Sequence, residues 1–123
     1  MLVINSQIQF TTKSEEIYHE ALVHPAFGSV PNPKTCLILG GGDGLAAKQI
    51  FRHYPETQVT LVDFDKNITD LFTYDPVMVE INEGAMSKCK VINADAFEYV
   101  FTDENKYDVI ICDPPDRDWE TSQ

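Results

Sequence analysis

The sequence predicts an α/β fold built on a short parallel sheet. Three observations lead there. The apolar run Cys36-Leu37-Ile38-Leu39 enters glycines at 40, 41, 42 and 44, and helical spacing follows from Leu45 to Tyr54. Strand-like and helix-like stretches then alternate, the pattern of parallel strands joined by right-handed crossovers. Each of the four strand-like runs is closely followed by an aspartate: Asp43, Asp63, Asp95 and Asp113.

Taken in order, residues 2–10 alternate imperfectly around Asn5-Ser6 and read as a short β-hairpin. Ser14 is an N-cap for a helix over about 15–23, which is expected to stop before Pro25. Pro31-Asn32-Pro33 is a loop. The first strand covers 35–39, and its helix ends near Tyr54-Pro55. A second strand over 58–63 precedes a helix over about 65–74. The stretch 75–88 has no single assignment, because Pro76 and Gly84 interrupt any long helix. Lys90-Val91-Ile92 is the third strand, 96–100 a short helix, and 107–112 the fourth strand. The expected strand order is 3-2-1-4. Two units follow: a hairpin over 1–12 and an α/β domain over 13–123.

At 123 residues the chain suits one domain with a small core. Twenty acidic residues against nine basic ones give a net charge of −11. That surface repels phosphate backbones, which argues against nucleic acid as a partner, and attracts a small polycation. Cys36, Cys89 and Cys112 are odd in number and lack metal-type spacing, so reduced thiols and no metal are expected. Cys36 and Cys112 lie in apolar strand runs, where a thiol packs as a small hydrophobe. No signal peptide or membrane-length apolar run is present, and a cytoplasmic location is expected.

Open parallel sheets bind ligands beyond the carboxyl ends of their strands. The turn Gly40, Gly42, Gly44 has the spacing G-x-G-x-G, with Leu45 where the dinucleotide form carries its last glycine. That variant suits a ligand of the S-adenosylmethionine type, with a ribose and no pyrophosphate. About twenty residues on, Asp63 closes the second strand, where a carboxylate accepts hydrogen bonds from ribose hydroxyls. The four aspartates are expected to converge on one crevice, although aspartate is also an ordinary loop and cap residue.

Four stretches carry a resemblance. Ile17-Tyr18-His19-Glu20-Ala21-Leu22-Val23-His24-Pro25-Ala26 resembles a signature of the spermidine synthase (polyamine aminopropyltransferase) family. So do Gly40-Gly41-Gly42-Asp43-Gly44, Asn93-Ala94-Asp95-Ala96-Phe97-Glu98-Tyr99 and Tyr107-Asp108-Val109-Ile110-Ile111-Cys112-Asp113. The resemblance implies a Rossmann-like fold of the S-adenosylmethionine-dependent methyltransferase type. It also implies a reaction in which decarboxylated S-adenosylmethionine donates its aminopropyl group to a polyamine such as putrescine. Carried over by position, Gln9, Gly40, Gly42, Asp43, Gly44, Asp63, Asp95 and Ala96 would meet the nucleoside co-substrate. Tyr18, His19, Asp43 and Asp116 would meet the amine, and Asp113 would accept its proton. The family has glycine where Leu45 stands, and small hydroxylic residues where Pro114 and Pro115 stand. It also has a β-rich N-terminal domain and further strands, so this chain resembles part of the full fold.

Two other readings stand beside this one. Asp113-Pro114-Pro115-Asp116 resembles the Asp-Pro-Pro-aromatic motif of S-adenosylmethionine-dependent amino-group methyltransferases, with Asp116 in place of the aromatic residue. A chain this short also suits a catalytically inactive nucleoside-binding module. Among the remaining residues, His24 is expected to pack or cap beside Pro25, and His53 to favour a helix C-terminus. Phe97 and Tyr99 are expected in the core, and Trp119 in a tail. The apolar run Val109-Ile110-Ile111, followed by two prolines, predicts an exposed edge strand and a homo-oligomer.

Overall fold

A computed structural model describes residues 12–103 and 105–113, with side chains from residue 18 onward. The predicted hairpin, Gln9, Asp116 and Trp119 lie outside the described residues.

The first helix, α1 (Thr12–Gly28), is longer than the sequence predicts and runs through Pro25. A proline in a helix interior costs about 3 kcal/mol through its missing N–H and its clash with the preceding turn. Packing outweighs that cost. Val23 and Phe27, on either side of Pro25, are 0% and 1% exposed. Each large apolar side chain so buried contributes roughly 1.5–3 kcal/mol. The Phe27 ring also stacks on Tyr54 at 4.6 Å.

The chain then forms β1 (Thr35–Gly40), α2 (Leu45–His53) and β2 (Gln58–Val62). Helix α3 (Lys66–Tyr74) is capped by Asp65, whose carboxylate accepts the Ile68 N–H. The undecided stretch resolves into two pieces. Asp75 caps α4 (Pro76–Ile81), accepting N–H bonds from Val77 and Met78, with the proline at the first helical position. A 3-10 turn over Ala85–Lys88 follows Gly84. Strand β3 (Lys90–Ile92), helix α5 (Ala96–Thr102) and strand β4 (Val109–Asp113) complete the order.

The strands form one parallel sheet in the order β3-β2-β1-β4, as expected. Its register aligns the carboxyl ends. Gly40 pairs with Asp113, Leu39 with Val62, and Val62 with Ile92. The core lies around β1, where Cys36, Ile38, Ala46, Ala47, Ile50, Val59 and Leu61 cluster with Val23 and Phe27. At the opposite end, Lys34 and Thr35 N–H groups donate to Asp108 Oδ2 at 2.8 and 3.2 Å. These donors hold the Asp108 carboxyl below its ordinary pKa and fasten the entry to β4 beside β1. None of the helices of the described residues is long and apolar enough to cross a membrane.

Two expectations fail at the sheet margins. Cys112 is exposed, because residues of β4 alternate between two faces and it lies with Ile110 on the face that the described residues leave open. Ile110, on the same outward face, is 55% exposed. Phe97 is not core either: no residue of α5 is buried, and Phe97 points to solvent. Tyr99 is half-buried, and its hydroxyl sits 3.5 Å from that of Tyr107.

Candidate active site

The site begins with a conflict between charge and burial. Asp113 ends β4 on its inward face and is only 6% exposed. A carboxylate so placed needs a partner. His19 of α1, itself 1% exposed, puts Nε2 3.5 Å from Asp113 Oδ2. The Tyr18 ring stands edge-on to that imidazole at 4.8 Å and fixes its plane. Asp43 completes the group: ligating atoms of His19, Asp43 and Asp113 all lie within 4.8 Å of one another. Helix α1 and strands β1 and β4 thus bring together three residues distant in sequence.

Asp63 is positioned by the glycine turn. Gly42 N–H donates to Asp63 Oδ2 at 3.0 Å, and Asp65 N–H donates to Oδ1 at 2.9 Å. A Cβ at position 42 would stand 2.8 Å from Asp63 Oδ2 and 3.1 Å from Thr69 Cγ2. Glycine at 42 therefore makes room for this carboxylate. Each Asp63 oxygen keeps acceptor capacity after these bonds, which is what a pair of ribose hydroxyls requires. Asp43 is fixed by accepting the Leu45 N–H on Oδ1 at 3.0 Å, at the start of α2.

The four aspartates are not equivalent. Their strands place them along one edge in the order Asp95, Asp63, Asp43, Asp113. Asp43 and Asp113 meet with His19, and Asp63 lies beside Gly42. Asp95 is exposed, and its Oδ1 accepts the N–H groups of Phe97 and Glu98 as the cap of α5. Ala96 follows it at the first position of that helix.

Three positioning residues escape a reading of the sequence. Asn82 is fully buried, and its Nδ2 donates to the carbonyls of Asp43 and Phe72, each at 3.0 Å. It ties the glycine turn to α3. A Cβ on Gly44, whose φ is +79°, would stand 2.8 Å from that same Nδ2. Asn93 Nδ2 donates to the Asp63 carbonyl at 2.9 Å and to Thr69 Oγ1 at 3.0 Å, joining the ends of β2 and β3. Asn93 and Thr69 thus support Asp63 from behind. An asparagine in an interrupted helical stretch, as at 82, has no local signal for such a role.

Comparison with known proteins places the chain in a family. A family model described as "Spermine/spermidine synthase domain" matches residues 15–122. A polyamine aminopropyltransferase of Leptospira interrogans is 44% identical over 117 residues, which cover 94% of this chain and 24% of that protein. One from Oceanobacillus iheyensis is 43% identical over 122 residues, covering 98% and 24%. The spermidine synthase of Thermotoga maritima matches with a TM-score of 0.70 at 30% identity, over 82% of this chain and 35% of that one. A spermidine synthase solved with the transition-state analogue AdoDATO gives a TM-score of 0.69 at 30% identity, over 85% and 35%. The chain spans about a quarter of the length of the two curated relatives. With a family model covering nearly all of its length, and the strand order and aspartate placement its motifs imply, this chain belongs to the spermine/spermidine synthase family.

Proposed function

We propose that the chain carries the nucleoside- and amine-binding part of an aminopropyltransferase. In this reading decarboxylated S-adenosylmethionine is the co-substrate, and a polyamine such as putrescine is the acceptor. The observation that carries it is the buried His19–Asp113 pair with Asp43 beside it, at the carboxyl edge of the sheet. Asp63, held by Gly42 and Asp65, takes the ribose hydroxyls, while Asp95 and Ala96 lie toward the adenine. Gly40, Gly42 and Gly44 line the same turn. Asp43 favours a donor without a carboxylate, since it would repel one.

An alkylamine resembles lysine and is protonated at neutral pH, yet only the neutral amine is a nucleophile. Asp113 accepts its proton as the nitrogen attacks the carbon beside the sulfonium. The new N–C bond forms as the C–S bond breaks, and 5′-methylthioadenosine leaves. His19 orients the carboxylate from Nε2. Tyr18 holds His19, and Asp116 gives the amine a further carboxylate.

The relatives' names and the acidic composition support the substrate class. Ile110 on edge strand β4 supports self-association, because an exposed apolar edge pairs readily with another chain. The free cysteines support a reducing, cytoplasmic setting. Residues 1–11, ahead of α1, are proposed as a short β-hairpin.

Two measurements test the reading. Calorimetry with 5′-methylthioadenosine should show binding that weakens about tenfold in Asp63→Ala, a loss of about 1.4 kcal/mol. Release of 5′-methylthioadenosine from the decarboxylated donor and putrescine should fall roughly 100-fold or more in Asp113→Asn, with nucleoside affinity kept. Nucleoside binding with no turnover would leave a binding module and remove the catalytic role.

A further inference from the structure

We propose that Glu20, His24 and His53 form a binding site for a divalent transition-metal ion of the zinc class, separate from the aspartate crevice. Glu20 and His24 stand four residues apart on α1, so one helical turn places both side chains on the same face. His53 comes from the last turn of α2. The rings of His24 and His53 lie 4.4 Å apart between centroids, inclined by 65°. One ligating atom from each of the three residues falls within 4.8 Å of the other two.

The chemistry of this set is specific. Two imidazoles and a carboxylate form a donor set of the His₂Glu kind, which suits zinc and neighbouring first-row ions. Bond lengths of about 2.0–2.1 Å put neighbouring tetrahedral ligands roughly 3.3 Å apart. The present separations need a closure of about 1.5 Å or less, within reach of small side-chain rotations. His53 is exposed and His24 half-buried, so an ion has access from solvent. Three protein ligands leave a fourth position for water.

The cysteines offer no rival set. Burial pushes the thiols of Cys36 and Cys89 up to about 12, far from the thiolate a metal requires. The group His19, Asp43 and Asp113 is equally tight, but although His19 directly precedes Glu20, one residue turns a side chain by about 100° around α1, and the proposed function uses His19 on that other face. The ion's effect follows from its position. It would clamp α1 to the end of α2 beside Pro25, where α1 lacks a backbone hydrogen bond.

The test is a zinc titration of the full, chelator-treated chain, read by competition with a chromophoric chelator and by thermal melting. About one equivalent should bind per chain, and zinc should raise Tm, as for any ligand of the folded state alone. His53→Gln and Glu20→Gln should each weaken binding roughly tenfold or more. Asp113→Asn should leave zinc affinity as it is. His53→Gln alters an exposed side chain, and its zinc-free melt should match that of the wild type, which separates a lost ligand from a lost fold. Absence of zinc binding would overturn the proposal. So would full affinity in His53→Gln, or a loss that follows Asp113→Asn instead.

Discussion

The first and last crossovers of the sheet use the same parts, a short strand, an aspartate and a helix, and they are packed differently. In α2, Ala46, Ala47 and Ile50 have no exposed surface, and the helix is held between α1 and the sheet. In α5 no residue is buried, and Phe97 and Phe101 are 81% and 86% exposed. The difference follows from strand order. Helix α2 follows the interior strand β1, whereas α5 follows edge strand β3. The proposed chemistry divides along the same line. His19, Asp43 and Asp113 sit on the packed side, where burial fixes geometry. Asp95 and Ala96 sit on the open side, where a flat base needs little more than a surface.

The largest way to break this comparison is Ile50→Ala. A fully buried side chain in the packed crossover would leave a cavity, and stability should fall by about 2–5 kcal/mol. A chemical denaturation curve measures it, and a loss under 1 kcal/mol would mean that α2 is not the packed element described.

A smaller effect is expected from Asp108→Asn, which loosens β4 against β1. The sign of its pH dependence is fixed. The Lys34 and Thr35 N–H donors lower the folded-state pKa of Asp108. Its stabilisation is therefore complete above the unfolded value, about 3.9, and is lost as pH falls through the folded value. The gap in Tm between wild type and variant should be full at neutral pH and should close on acidification below about pH 4. A gap that widened in acid would contradict the assignment.

The smallest effect belongs to Phe101→Ser. On the open helix this should shift stability by less than about 0.5 kcal/mol and should improve solubility. A loss comparable to that of Ile50→Ala would show that α5 is covered in solution.

The strands themselves could be read from the sequence because their signals are local. Apolar runs such as 36–39 end in aspartates, and glycines mark the turn. What could not be read depends on contacts across the fold. Pro25 reads as a helix stop until Val23 and Phe27 are seen buried around it. Phe97 reads as core because nothing near it in the sequence says that β3 is an edge. Asn82 binds a carbonyl 39 residues away, and His53 meets a partner on another helix. Within the site, the convergence of aspartates was expected from their strand ends, while the approach of His19 to Asp113 joins α1 to β4 and leaves no local signal.

The glycine turn has a consequence for which molecules it turns away. In nucleotide enzymes the N–H groups of such a turn face an incoming phosphate. Here three of those N–H groups are already committed inside the chain. Gly42 N–H serves Asp63, Leu45 N–H serves Asp43, and Gly44 N–H serves the Gly41 carbonyl. The positive pole of α2 is met by the protein's own carboxylate. A polyphosphate arriving there would find its counter-charge taken and two anions in its path. Under the proposed function the turn would act as a filter, favouring an uncharged ribose or a cation over nucleotides that carry the same sugar and base with added phosphates.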